Sequence, residues 1–204
     1  MGLKKETFWR LLLIISTASL FVALWAKPIP AQDNVLLNPG FENVPPGQDP
    51  ALPPWWEWNS KPEDSKSLVD GEVTDEIVYS GSRSAVRYVK GKAIGCYAQN
   101  IKIVAGEVIE AGVWIRTSKN FSDAQAYLRI EFKDKDYEII QAIESKKIIS
   151  ADESWKLYTL KTSPAPKGAM IAVFCLFIEG NDRNSSGKAW FDDGYLYIKV
   201  KGLI

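Results

Sequence analysis

The sequence predicts an all-β chain: an antiparallel β-sandwich of the jelly-roll kind, preceded by an N-terminal signal or anchor segment. Three observations carry that expectation. Apolar and polar side chains alternate with period two in three separate stretches, the pattern of a strand with one face buried. Turn-forming clusters recur between strands: "YSGSRS", "VAGE", "DKDYE", "SPAPKG" and "EGNDRNSSGK". No convincing helix follows Asn34, and regularly spaced strands without helices close into a sandwich or jelly roll.

The first 26 residues are a different material. "MGLKKETFWR" is short and basic, and "LLLIISTASLFVALWA" is an apolar run of 16 residues. The pair fits a secretory signal peptide cleaved after Ala26 or Ala31. An uncleaved anchor is the alternative, although a membrane span needs about 20 apolar residues. No cysteine lies near the cleavage position, which excludes a bacterial lipid anchor. Either way the chain is expected to be exported, secreted or held in the cell envelope, with membrane contact only if the segment stays attached. Residues 27–33 read as a short polar leader, and one domain is expected over residues 34–204.

Within that domain the opening "LNPGFENVPPG" mixes turn residues with Phe41, a core-type ring, and Glu42. "PPWWEWNS" follows with Trp55, Trp56 and Trp58. Strand alternation puts Trp56 and Trp58 on one face, so one indole is expected inward and at least one outward. Outward indoles would suit the apolar C–H faces of sugar rings. "VIEAGVWIRTS" places Ile109, Ala111, Val113 and Ile115 on one face and Trp114 on the other. "AYLRIEF" separates Leu128, Ile130 and Phe132 from Arg129 and Glu131, and "IAVFCLFIEG" separates Ala172, Phe174, Leu176 and Ile178 from Cys175, Phe177 and Glu179. "EFKDKDYE" gathers four acids, but turn chemistry explains them as a hairpin leading into "YEIIQAI".

Composition excludes several classes. Lys plus Arg and Asp plus Glu are 25 each, so the chain is no polybasic nucleic-acid binder. It has no histidine, which rules out Ser-His-Asp and Cys-His catalysis. Eight Trp and eight Tyr suit flat apolar ligands and all-β cores alike. Cys96 and Cys175 permit one disulfide or two buried thiols.

Glu42 near one end and Asp192–Asp193 near the other flank apolar residues of the expected first and last strands. In an antiparallel sandwich such strands often lie side by side. Carboxylates brought together there repel unless a cation or hydrogen-bond donors separate them. Ca²⁺ suits such oxygens; capping of backbone N–H groups is the alternative.

"NVLLNPGFE", a tryptophan some fifteen residues on, "YSGSRSAVRY", "AQNIKIVAGEVIEAGVWIRTS" and the terminal "KAWFDDGYLYI" together resemble carbohydrate-binding modules of the cellulose- and xylan-binding jelly-roll type, within the galactose-binding-domain-like group. The resemblance covers essentially the whole chain after residue 33. It implies a two-sheet sandwich with a structural calcium held by Glu42, an oxygen in the Ser82 region and Asp192, with Asp193 as the fallback. It also implies glycan binding on a concave sheet or at loop tips, where Trp114, Arg129, Glu131, Phe177 and Glu179 are expected, with Tyr97 and Gln99 as further candidates. The function that follows is an exported, non-catalytic binder of polysaccharide or oligosaccharide. A cell-envelope protein using the sandwich for protein contacts is the first rival. A small glycoside hydrolase or lyase is the second, and it would need two carboxylates facing each other across a cleft.

Overall fold

A computed structural model describes residues 33–49, 53–61 and 66–199; the signal or anchor segment lies outside them. Ten strands follow one another with no helix among the described residues. They are β1 (Trp56–Asn59), β2 (Leu68–Thr74), β3 (Ser84–Lys90), β4 (Ile94–Lys102), β5 (Val108–Thr117), β6 (Ala124–Lys133), β7 (Ile139–Glu144), β8 (Lys156–Lys161), β9 (Ile171–Gly180) and β10 (Ser186–Lys199). Two five-stranded sheets result. Sheet A runs β1-β4-β9-β6-β7 and sheet B runs β2-β3-β10-β5-β8. Every pairing is antiparallel, so the molecule is the all-β sandwich that the alternation predicts.

The core lies between the sheets. Ile109, Ala111, Val113 and Ile115 of β5 meet Leu128, Ile130 and Phe132 of β6 and Ala172, Phe174, Leu176 and Ile178 of β9 in one buried cluster. These are the inward faces read from the period-two pattern. β9 departs from a half-buried strand: its outward Val173, Cys175 and Phe177 are buried as well, in a second, smaller apolar cluster. "DKDYE" forms the turn joining β6 to β7, where Asp134 Oδ1 accepts from the amides of Asp136 and Glu138.

The two ends of the domain come together. The Val35 amide donates to the Leu196 carbonyl, and Asn34 bonds both the Gly194 carbonyl and the Leu196 amide. The opening segment differs from expectation in one respect, since residues 37–48 form turns and no strand. Phe41 adopts φ 61° there and is fully buried, its ring 4.9 Å from that of Trp55.

Candidate functional site

The outer face of sheet A carries a trough of about 300 Å³, at the lower end of ligand-pocket sizes. One wall is aromatic. Trp56 and Trp58 project outward from edge strand β1, while their neighbour Trp55 is buried in the core. Trp56 Nε1 donates to Asn100 Oδ1 at 3.2 Å, and Trp58 meets Phe177 edge to face at 6.4 Å. Strand register sets Trp58, Cys96, Phe177 and Tyr127 in one row across β1, β4, β9 and β6, with Trp56, Ala98, Cys175 and Arg129 in the next. Cys96 and Ala98 of β4 and Cys175 of β9 make a low apolar floor beside the Phe177 ring.

The opposite wall is polar. Arg129, Glu131 and Lys133 alternate along β6, and Ile139 of β7 closes its end. Glu131 is nearly buried and pairs with both cations, Arg129 at 3.0 Å and Lys133 at 3.3 Å. Glu144 reaches Arg129 from the far side at 3.7 Å. Phe177 stacks on Tyr127, and Tyr127 Oη donates to Glu179 Oε2 one row beyond the trough. The trough therefore offers stacking surface on one side and fixed donors and acceptors on the other.

Cys96 and Cys175 are both free thiols in the floor. Burial, with Cys96 hydrogen-bonded beside it, pushes the Cys175 thiol up. Sequence reasoning puts Cys175 on this outward face without naming it as a binding residue, and it misses Ile94, Cys96, Lys133 and Ile139. Lys133 continues the 129, 131 alternation, whereas Ile94, Cys96 and Ile139 carry no polarity to mark their face.

Besides Glu179, which sits just beyond the trough, three expected binding residues lie off this face. Tyr97 points into the core, fully buried under the Arg87 guanidinium, and burial pushes its phenol up. Gln99 points inward too, and its amide bonds the Leu37 N–H and carbonyl to pin the N-terminal segment. On β4 it is Cys96 and Ala98 that face outward, one residue out of phase with that expectation. Trp114 does face outward, but from sheet B, where Tyr79 stacks on it at 4.0 Å. A broader, flatter depression of about 450 Å³ on sheet B has Tyr88 as its one ring, and Lys188 already leans over that ring.

The terminal acids converge on the turn at residues 79–83. Glu42 accepts from the Ser82 amide (2.9 Å), the Ser82 hydroxyl (2.6 Å) and the Arg83 amide (3.1 Å). Against some desolvation, these bonds hold its carboxyl below the usual range. Asp192 is fully buried and accepts from the amides of Tyr79, Ser80 and Asp193. Burial pushes it up to about 6, with the Asp193 charge adding to the rise and the amide donors opposing it. Asp193, in a β-bulge of β10 at φ 44°, accepts from the Ser80 hydroxyl at 2.7 Å. Gly40 leaves the space between these acids clear, for a Cβ there would stand 3.2 Å from Asp193 Oδ1 and 3.4 Å from Asp192 Oδ1. The donor set is hard oxygen, of the type Ca²⁺ takes. Among the described residues, however, no three acidic or thiol side chains gather as a metal-holding group, and amide and hydroxyl donors already serve these carboxylates.

No family model matches the chain. It is 25% identical over 177 residues to the tRNA(Glu)-specific nuclease WapA of Bacillus subtilis subsp. natto, spanning 82% of this chain but only 7% of that protein. Among solved structures it is similar to the CBM22-1 xylan-binding domain from Paenibacillus barcinonensis Xyn10C, with TM-score 0.57 and 16% identity over 84% of this chain and 98% of that one. TmCBM61 in complex with β-1,4-galactotriose gives TM-score 0.53 and 18% identity over 82% and 99%. The enzymatically active domain of bacteriophage CBA120 tailspike protein 4 gives 0.59 and 16%, over 81% of this chain and 21% of that one. The described chain thus has the jelly-roll fold of carbohydrate-binding modules.

Proposed function

We propose that the protein is an exported, non-catalytic glycan binder whose site is the trough on sheet A. The observation that carries this reading is the pairing of two walls, the indoles of Trp56 and Trp58 opposite the ion-paired row Arg129–Glu131–Lys133. A pyranose ring has an apolar C–H face and a rim of hydroxyls, and such a trough matches both at once. Xylan and β-1,4-galactotriose are named for two carbohydrate-binding neighbours, so xylan and β-1,4-galactan, the polymer of that trisaccharide, are the first ligands to try. The non-catalytic part of the reading is supported by the lining: Glu131 is the one carboxylate among the described trough residues, and glycoside hydrolysis needs two. Export rests on the basic and apolar N-terminal run.

A structural Ca²⁺ at the 79–83 turn belongs to the same proposal, held by Glu42, an oxygen of the Ser82 region and Asp192, with Asp193 as the fallback. Its support is the convergence of acids beside Gly40 and the burial of Asp192. Such an ion would supply charge neutralisation and tie the two ends of the domain together.

A second reading has its own observation. Tyr137, Ile139 and Ile140 are exposed on and beside edge strand β7, an unpaired edge of the kind that mediates protein contacts. Affinity electrophoresis through gels containing xylan, β-1,4-galactan or cellulose, with calcium or with chelator, separates the two. The glycan reading expects retardation in at least one gel. Free migration in all of them, by folded protein that self-associates with concentration, would replace it with the protein-contact reading.

A further inference from the structure

We propose that Arg87 is the positioning residue of the aromatic wall. The inference rests on the glycan reading only in its functional consequence. β1 is an edge strand, four residues long and hydrogen-bonded on one side only, to β4. Its outward side chains are Trp56 and Trp58, so its inward ones, by alternation, are Glu57 and Asn59. A sandwich interior normally meets such a strand with apolar side chains. Here those positions hold a part-buried acid, Glu57, and at the rim an exposed amide, Asn59.

Arg87 answers them from across the sandwich. It comes from β3 in sheet B and is fully buried. Its Nη1 donates to Glu57 Oε1 at 2.8 Å and its Nη2 donates to Asn59 Oδ1. Asn59 Nδ2 donates back to Glu57 Oε1 at 2.8 Å, so the two inward side chains of β1 and the guanidinium form one closed network. The guanidinium carbon lies 4.3 Å over the ring of Tyr97 on β4, the strand that pairs with β1. The space is made by two glycines. A Cβ at Gly95 would collide with Asn59 Oδ1 and stand 2.6 Å from Arg87 Nη2, and one at Gly71 would collide with the Tyr97 hydroxyl.

Stability alone does not account for this arrangement. A buried ion pair gains little over well-packed apolar residues of the same volume, because its desolvation cost offsets the attraction. In this network Arg87 Nε and the Tyr97 hydroxyl are buried with no hydrogen-bond partner, which adds to that cost. What a bidentate guanidinium supplies and an apolar plug does not is direction. It fixes the rotation of β1 about its axis, and so the attitude of Trp56 and Trp58 on the other side.

The test replaces both charges together, Arg87→Met with Glu57→Gln, so that neither is left buried alone. Hydrogen exchange resolved by segment, urea unfolding and retardation in the polysaccharide gel that retains the wild-type protein are measured on the full chain. Amides of residues 56–59 should exchange about tenfold faster or more, with β9 amides and the urea midpoint unchanged, and gel retardation should be lost. Asn59→Ala, which removes one arm and no charge, should give a smaller increase at the same amides. Unchanged exchange in β1, or acceleration spread equally over β9, would overturn the proposal by making Arg87 a purely structural residue. Because the exchange pattern needs no ligand, wild-type protein that binds none of the polysaccharides would count against the glycan reading while β1 exchange still decides the role of Arg87.

Discussion

Trp55 and Trp58, three residues apart, do opposite jobs. Trp55 is buried between Phe41 and Phe174, its indole N–H bonded to the Asn38 carbonyl. Trp58 is 45% exposed at the lip of the trough. Trp55→Ala should therefore lower unfolding stability by about 3–5 kcal/mol, the cost of removing a packed aromatic. Trp58→Ala should lower stability by about 1 kcal/mol, the loss of its edge contact with Phe177, and weaken polysaccharide binding by about 2 kcal/mol, the loss of a hot-spot ring. Urea titration and affinity electrophoresis read the two effects separately. Alternation made the shared outward face of Trp56 and Trp58 legible in the sequence. The resemblance alone offered Tyr97 and Gln99, and alternation had no means of correcting it, because β4 is buried on both faces over residues 95–99 and a period-two pattern without a polar side has no sign.

At the scale of elements, the 79–83 turn is where the ends of the domain are joined. Glu42 alone accepts three hydrogen bonds from it, and Arg83 in return donates to the Glu42 and Val44 carbonyls. Glu42→Ala removes this capping of exposed donors, which water then serves, and should lower stability by about 1 kcal/mol. If calcium is held there, its addition should raise the wild-type melting temperature with saturation and leave the Glu42→Ala variant unmoved. Equal melting with calcium and with chelator would mean that capping by Ser82, Arg83 and the amides of Tyr79 and Ser80 is the whole story. The meeting of the ends was legible from acids placed beside apolar residues at both extremities. The partners were not, because which turn lies between the ends depends on sheet B placing β3 next to β10, a neighbourhood no local pattern encodes.

At the scale of the molecule, the sandwich puts two aromatic groups on opposite outer surfaces. Trp56, Trp58 and Phe177 look out from sheet A, while Tyr79, Trp114 and Trp155 cluster on sheet B. The sequence separates inward from outward on each strand, but it does not say which sheet a strand joins. That is why the sequence groups Trp114 with Arg129 and Glu131 although the core lies between them. The two faces also differ in availability. On sheet B, Tyr79 already covers one face of Trp114, whereas the indole wall on sheet A faces the open trough.

We place glycan binding in the sheet A trough and on no other aromatic surface. Affinity electrophoresis of the wild type, Trp56→Ala/Trp58→Ala and Trp114→Ala, each checked to be folded, tests this placement most directly. Trp114→Ala should be retarded like the wild type while the double variant runs free. Retention by the double variant together with loss in Trp114→Ala would contradict it and move the site to sheet B.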